Sequence, residues 1–480
     1  MLYNTLEFGV FYLVIFALYW GPFRRSLRAQ NLLLLVGSYF FYGWWDWRFL
    51  GLVIFSSLVD YLTANQIHQS TAKSRKQAWL AVSLVVNLGL LAVFKYYGFF
   101  VDSFIELFRS FGYEMGDRTL NIILPVGISF YTFQTLSYSI DVYRGRLKPS
   151  RDLVSFLAFV GFFPQLIAGP IERAANLMPQ FAKPRRFDYE RAKDGLRQIL
   201  WGLFKKVVVA DTLGQYVGNI LGNPEAHSGS MLLMGVVFFA FQLYGDFSGY
   251  SDIAIGTARL LGFNLMRNFN YPYFARDIMD FWRRWHISLT TWFRDYVFLS
   301  LNGGRTPSKQ GVIMRSFIIT FTISGLWHGA NWTFVIWGLL HGLYHIPYLL
   351  YPQLRSKIQE TRPPYTLRGT LKALWQTGLT MALNLLALVF FMAKDVSYAL
   401  NYFGLMLSES LFTVPDLYKR KLFWLALFVG VEWVQMQANK KHPLEIGRWP
   451  LPLRWGVYYG LALAVLYYNY DRQAFIYFQF

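Results

Sequence analysis

The stretch from Phe281 to Gly342 decides the fold of this chain and carries its chemistry. It begins with FWRRWHISLTTWFRDYVF (281–298), which is amphipathic and basic. After a short basic linker it continues with FIITFTISGLWHGANWTFVIWGLLHG (317–342), which is almost wholly apolar. A histidine inside a membrane-length apolar run is costly and usually faces a cavity or a partner. His328 stands in such a run, and we therefore predict that it is the reactive centre.

Composition places the chain among polytopic helical membrane proteins. Aliphatic and aromatic residues make up 55% of its 480 residues and charged residues only 15%, whereas soluble proteins carry about a quarter. Long apolar runs recur from end to end. We predict an all-α polytopic membrane protein with one domain, residues 1–480, and about eleven to thirteen membrane segments, some of them half-length. The chain has no cysteine, which excludes thiol nucleophiles, disulfides and cysteine-ligated metals.

The net charge of +19 arises from short basic clusters between the apolar runs. Such clusters are typical of cytoplasmic loops, and their distribution argues against nucleic-acid binding. Leu6–Trp20 is interpreted as a first span rather than a cleaved signal peptide, because no basic stretch precedes it. Arg24, Arg25 and Arg28 follow it, so we expect the N-terminus on the periplasmic side.

Charge and hydropathy disagree after Arg151. The apolar run Leu153–Ala168 would lead outward, yet the next stretch and its continuation are rich in cations that are rarely translocated: Lys183, Arg185, Arg186, Arg191, Lys193, Arg197, Lys205 and Lys206. We therefore predict a re-entrant segment that turns back at Gly161–Pro164 or at Gly169–Pro170. Broken backbone at membrane depth requires surrounding protein or a water-filled cavity, so this segment independently predicts a central cavity.

Glycines flank His328 on both sides and allow a chain or ligand to approach closely. A neutral imidazole in such an environment suits general-base chemistry on a hydroxyl. His286 lies on the predicted helix 281–298, where a lone histidine is more often structural than catalytic. His341 and His345 are four residues apart and could share a helix face. Without a third ligand we expect no metal site there.

The basic face of 281–298 has two compatible interpretations. Its arginines either snorkel to the membrane surface or contact an anionic cofactor, such as the phosphates of coenzyme A. A second polar stretch, YGDFSGYSD (244–252), separates two apolar segments. We predict that it caps a helix pair, because Ser, Asp and Gly are common at helix ends. A catalytic role for its polar residues is the alternative: Asp246, Ser248 and Asp252.

The motifs together resemble a known family. FWRRWHISLTTWFRDY (281–296) followed by GLWHGANWTFVIWGLLHG (325–342) is similar to the signature of the membrane-bound O-acyltransferase (MBOAT) family. Within that family, the motifs most resemble the bacterial branch that contains the alginate O-acetyltransferase membrane subunits. Further stretches agree in order along nearly the whole chain: LPVGISFYTFQTLSYSIDVYRG (124–145), LIAGPIER (166–173), QLYGDFSGYSDIAIG (242–256) and FIYFQF (475–480).

The resemblance implies a fold, a reaction and a site. The expected fold has helices around a central tunnel, and the expected reaction is acyl transfer from a cytoplasmic thioester, with acetyl-CoA as the expected donor substrate, to a hydroxyl. His328 matches the invariant family histidine, and His286 falls where members have a second polar catalytic residue. The further candidates for binding the donor or lining the tunnel are Arg283, Arg284, Ser288, Trp292, Arg294, Asp295, Trp327 and Asn331.

The resemblance also implies partners and a location. We expect a multi-pass protein among the lipids of the bacterial inner membrane, with a periplasmic hydrolase-like partner that delivers the acetyl group to a polysaccharide. The acceptor stays open among alginate, cellulose, another exopolysaccharide and peptidoglycan. A polysaccharide or lipid transporter and a non-catalytic scaffold are the alternatives from other functional classes.

Overall fold

The structure is a computed structural model. It describes residues 1–113, 120, 122–167, 169–351, 353, 366–415, 419–438, 444–447, 449–469 and 473–478. All regular secondary structure in these ranges is helical. The chain is an all-α, multi-pass membrane protein, as its composition predicts.

Within the described ranges, five helical segments are long and apolar enough to cross a membrane: Leu27–Gln69, Lys73–Ser110, Gly229–Leu260, Trp332–Leu350 and Leu367–Met392. Three shorter apolar helices accompany them: Leu6–Trp20, Leu153–Leu166 and Leu422–Gln437. The sequence predicts about eleven to thirteen membrane segments, and this number stays a prediction. Half-length and re-entrant helices are too short to be counted among the five.

The other helices are shorter or more polar. They are Ile128–Tyr143, Ala174–Phe181, Tyr189–Leu203, Asp211–Gly222, Ile278–Arg284, Ile287–Phe293, Leu299–Leu301, Gln310–His328, Val396–Met406 and Leu451–Tyr468. The apolar Leu422–Gln437 is part of the helix Lys419–Gln437. π-Helical turns occur at Ala92–Tyr96, Phe204–Ala210 and Arg294–Phe298. Short 3₁₀ turns occur at Pro224–Ala226, Pro272–Phe274, Glu409–Phe412 and Ile476–Phe478.

The chain divides into two compact units. The first comprises Met1–Ile199 with Ile253–Met266, and the second comprises Leu200–Asp252 with Arg267–Phe480. Phenylalanines form much of the core of the first unit, where the ring of Phe163 packs against those of Phe11 and Phe41. The prediction of a single domain over residues 1–480 stays a prediction.

The apolar run that starts at Leu153 is broken where the sequence predicts a turn. A helix covers Leu153–Gly161, the backbone of Phe162 is non-helical (φ −50°, ψ 104°), and a second short helix covers Phe163–Leu166. Pro164 suits the first turn of this second helix, because the amide hydrogen that proline lacks has no helical partner there. The break at Gly161–Pro164 is confirmed, and its re-entrant topology stays a prediction. Ala168 lies outside the described residues.

The prediction that YGDFSGYSD caps a helix pair is wrong, because this stretch lies inside the continuous helix Gly229–Leu260. Its two glycines serve close packing rather than a helix end. A Cβ atom at Gly249 would lie 2.7 Å from the carbonyl oxygen of Gly202. Neighbouring lysines neutralise its acids, which removes the need for a solvent-exposed turn: Lys206 pairs with Asp246 at 2.8 Å and Lys205 with Asp252 at 2.6 Å.

The prediction of one amphipathic helix over 281–298 is also wrong. The structure has two short helices, Ile278–Arg284 and Ile287–Phe293, separated by a corner at His286. The segment 268–270 causes the break by hydrogen bonding to the backbone on both sides of the corner. The N–H of Asn270 donates to the carbonyl of Arg284 at 2.9 Å, and the N–H of Ile287 donates to the carbonyl of Asn268 at 2.8 Å.

Candidate active site

His328 is the last residue of the helix Gln310–His328. The next helix, Trp332–Tyr344, begins after the link Gly329–Asn331. Glycines let these two helices touch backbone to backbone, since a Cβ atom at Gly325 would lie 2.1 Å from the carbonyl oxygen of Phe334. The glycines of the apolar run therefore position His328 through tight helix packing.

The side chain of His328 is buried and lines a narrow cavity of about 20 Å³, which is enough for a water molecule or a small group. Rings surround the imidazole: those of Trp327 and Trp337 lie 5.0 Å away, that of Phe391 5.5 Å and that of Tyr477 5.8 Å between centroids. The remaining lining residues are Leu243, Tyr273, Phe281, Trp285, His341, Asn384 and Leu388. The lining is mostly apolar with a few polar groups, and it is this composition that resembles a small-molecule site.

His286 occupies a strained corner beside this region. Its backbone is left-handed (φ 42°), a conformation that costs a β-carbon residue about 1–2 kcal/mol. Its Nδ1 lies 3.1 Å from Oδ1 of Asn268, which also receives the hydroxyl of Ser288 at 2.9 Å and the backbone N–H of Ser288 at 3.3 Å. A backbone N–H can only donate, so the atom that faces it is the Asn268 oxygen. Nδ1 of His286 must therefore carry a proton.

The other nitrogen of His286, Nε2, is then a lone-pair acceptor. It is buried and has no hydrogen-bond partner among the described residues. Burial lowers the pKa of His286 to about 3, so the ring is neutral at physiological pH. The ring of Trp327 lies 6.3 Å from that of His286 and 5.0 Å from that of His328. Trp327 thus connects the two candidate histidines, although His286 does not itself line the cavity.

The basic residues predicted to bind the donor lie apart from His328. Arg283 and Arg294 are exposed, and Arg294 pairs with the adjacent Asp295 at 2.7 Å. Arg284 is half-buried and pairs with Asp280 at 2.9 Å. None of these three arginines lines the cavity, and neither does Asp295. The structure thus places the charges on the short helices and leaves their role in donor binding as a prediction.

Two further candidates, Trp292 and Asn331, contact residues that do not line the cavity. Trp292 is buried and packs against the ring of Tyr296 at 5.1 Å, away from the cavity lining. Asn331 caps the helix Trp332–Tyr344: its Oδ1 accepts from the N–H of Thr333 at 3.0 Å, and its Nδ2 donates to the carbonyl of Lys394 at 2.8 Å. Of the non-histidine candidates, Trp327 contacts both candidate histidines and Ser288 contacts His286.

The C-terminal segment brings a residue to the cavity that sequence reasoning missed. Tyr477 lines it, and its ring packs 4.5 Å from that of Phe247. A buried ion cluster holds this segment in place. Lys206 Nζ pairs with Asp211 at 2.7 Å and donates to the carbonyl of Gln473 at 3.1 Å. Oδ2 of Asp246, the other carboxylate paired with Lys206, accepts from the N–H of Ile476 at 2.8 Å.

Sequence signals for the missed lining residues exist, but they are weak. Tyr477 lies in the terminal FIYFQF, which carries part of the family resemblance without indicating a role. Asn384 is a polar residue within the apolar helix Leu367–Met392, and such residues often mark a functional site. Phe391 and Trp337 could not be told from ordinary core aromatics, because their part in the cavity depends only on which helices meet.

Comparison with known proteins assigns most of the chain to the family that its sequence motifs resemble. A model of the MBOAT, or membrane-bound O-acyltransferase, family matches residues 148–392. The probable alginate O-acetylase AlgI of Azotobacter vinelandii is 40% identical over 416 residues, which cover 86% of this chain and 80% of that protein. The probable alginate O-acetylase of Pseudomonas aeruginosa is 44% identical over 318 residues, 66% of this chain and 60% of that protein. The peptidoglycan O-acetyltransferase of Helicobacter pylori is 36% identical over 432 residues, covering 84% and 79%.

Proposed function

This chain belongs to the membrane-bound O-acyltransferase family and is an O-acyltransferase, and from this premise we propose that it transfers acetyl groups for the O-acetylation of an exported or cell-envelope polysaccharide. The relatives described above carry names for acetyl transfer to alginate or to peptidoglycan. Both acceptors are glycans with free hydroxyls. The acetyl group and the glycan class are therefore the chemistry that these relatives share.

The observation that carries the proposal is His328 at the wall of a narrow apolar cavity. An imidazole can take the proton of an attacking hydroxyl and return it to the leaving group, which makes it a general base and then a general acid. Rings of Trp327, Trp337 and Phe391 shield it from bulk water. Exclusion of water favours transfer to a hydroxyl over hydrolysis of the donor.

The donor we propose is acetyl-CoA from the cytoplasm. The cavity holds only a small group, so the acetyl end of a long pantetheine arm would enter while the nucleotide stays outside. The exposed arginines Arg283 and Arg294 would contact the phosphates at the start of such a path. The acceptor hydroxyl would arrive from the periplasmic side, presented by a hydrolase-like periplasmic partner that passes the acetyl group to the glycan.

Purified full-length protein with radiolabelled acetyl-CoA tests the proposal. We expect release of CoA together with labelled acetyl on an acceptor, and we expect His328→Ala to lower the rate by about 10²–10⁴-fold, the usual contribution of a general base. His68→Ala is the matched control, because His68 is exposed and remote in sequence from the cavity residues.

Two outcomes would contradict the proposal. A wild-type protein that forms no CoA with any glycan acceptor or partner would favour a transporter or scaffold. Near-normal acetylation by His328→Ala, with His68→Ala also normal, would remove His328 from the mechanism while leaving the acyltransferase assignment intact.

A further inference from the structure

A second histidine at the same cavity has its protonation state fixed by a neighbour. His341, on the helix Trp332–Tyr344, is buried and lines the cavity with His328. Its Nδ1 lies 3.3 Å from Nε1 of the buried Trp282, and the two rings meet edge to face at 5.0 Å. An indole N–H donates and never accepts. Nδ1 of His341 must therefore be an unprotonated acceptor.

This contact excludes the imidazolium form, in which both ring nitrogens carry protons. His341 is thus a neutral imidazole with its proton on Nε2, and Nε2 has no hydrogen-bond partner among the described residues. Its surroundings keep the ring in place. Phe281 stacks on it with planes 9° apart, and Nδ1 of the next histidine, His345, lies 2.7 Å from the carbonyl oxygen of His341. The ring therefore has one remaining polar group, an N–H donor on Nε2, and the residue lines the cavity.

Trp337 contacts both His341, the donor, and His328, the proposed base. Its ring lies 5.0 Å from His328 and 4.8 Å from His341, and all three residues line one cavity. A small acyl group in this cavity thus meets both imidazoles. Asn384 lies in the same wall, and one of the two N–H groups of its amide donates to the carbonyl of Thr380 at 2.7 Å.

We propose that His341 is a second catalytic residue, whose Nε2–H donates a hydrogen bond to the carbonyl oxygen of the acyl group and stabilises the negative charge that develops there. This inference rests on the function proposed above and goes beyond it by assigning the electrophilic side of the reaction. A preorganised donor in a water-excluded site is among the most effective ways to stabilise such charge.

Acyl transfer to the acceptor takes two stages. The acceptor oxygen forms a bond to the thioester carbonyl carbon while His328 takes the hydroxyl proton. The carbonyl electron pair moves onto its oxygen, which the N–H of His341 stabilises. The pair then re-forms the carbonyl, the carbon–sulfur bond breaks, and the thiolate leaves and takes the proton from His328. The products are an O-ester and a free thiol, and His341 keeps its proton throughout.

Two substitutions at His341 test the roles of its two ring nitrogens separately. His341→Asn keeps an acceptor near the Nδ1 position for Trp282 but removes the donor from the cavity, whereas His341→Gln can place an amide N–H near the Nε2 position. With acetyl-CoA and the full-length protein, we expect His341→Asn to lower kcat by about 10²–10³-fold, the typical effect of losing one oxyanion donor. KM for acetyl-CoA should change little, because the bond strengthens only in the transition state. His341→Gln should retain at least about tenfold more activity than His341→Asn.

Trp282→Phe is an independent test, because it keeps the imidazole of His341 and removes only the indole N–H that donates to it. Without the indole N–H the proton can occupy either nitrogen, so we expect a smaller loss of kcat, within about tenfold, again with little change in KM. Near-wild-type kcat in His341→Asn overturns the proposal. If His341→Asn does not fold, as judged by size-exclusion chromatography, an unchanged kcat in Trp282→Phe overturns it instead.

The outcome also separates this inference from the proposed function. Absence of CoA release by the wild-type protein would contradict the proposed function itself. An active wild type, an inactive His328→Ala and a fully active His341→Asn would contradict only the role of His341.

Discussion

At the scale of the residue, burial and hydrogen bonding set the protonation state of individual polar side chains. Glu172, in the loop after Phe163–Leu166, is a buried carboxylate that accepts from the amide of Asn176 at 2.6 Å and from the backbone N–H of Met266. Burial raises its pKa from 4.5 to about 7, against the lowering effect of these hydrogen bonds. The folded state therefore holds this proton more tightly than the unfolded chain.

A raised folded-state pKa gives stability that is fully present below pH 4.5 and is lost as the pH rises through about 7. We expect the wild-type protein in detergent to lose about 3 kcal/mol between these limits from this group. Glu172→Gln should abolish that part of the pH dependence, since it cannot ionise. Thermal unfolding of both proteins at pH 5 and pH 8 checks this. Equal pH dependence in the two proteins would contradict it.

At the scale of the element, the buried lysine anchors the C-terminal segment to the helix Gly229–Leu260. Lys206→Met would leave Asp211 and Asp246 buried without their cation, and breaking a buried pair in this way costs about 3–5 kcal/mol. We expect lower thermal stability, faster proteolysis near Gln473 and reduced acetyl transfer, because Tyr477 would no longer be held at the cavity.

The matched control removes the whole cluster. Lys206→Met combined with Asp211→Asn and Asp246→Asn leaves no unpaired charge and should recover most of the stability lost by the single variant. Equal stability of the single variant and the wild type would show that the ion cluster does not anchor the segment.

At the scale of the whole molecule, the excess of positive charge predicts the orientation in the membrane. A cytoplasmic loop around Lys183–Arg197 and a periplasmic N-terminus require the re-entrant Leu153–Ala168. The chain has no cysteine, so single cysteines can be introduced without a background. We expect Glu190→Cys, at an exposed position, to react with an impermeant thiol reagent only after permeabilisation of the cells. Ser110→Cys is exposed and ends the span Lys73–Ser110, whose other end carries the basic residues Lys73, Arg75 and Lys76 expected in the cytoplasm, so it should react in intact cells. Labelling of Glu190→Cys from outside would overturn this topology.

The sequence by itself determined the class of the protein and its central residue. Apolar runs of membrane length can hydrogen bond internally only as helices, so the all-α architecture follows from composition. His328 was identifiable because an imidazole in an apolar, glycine-flanked run is costly without a function. The break at Gly161–Pro164 was visible as well, because proline acts on the local backbone.

Only the tertiary structure decided which residues share the cavity. The chain turns a corner at His286 because the segment 268–270 hydrogen bonds to the backbone on both sides of it, and YGDFSGYSD stays helical because Lys205 and Lys206 neutralise its acids. Tyr477 and Asn384 reach the cavity from segments far apart in the chain. Local propensity carries no information about such contacts, because their energy exists only after the chain has folded.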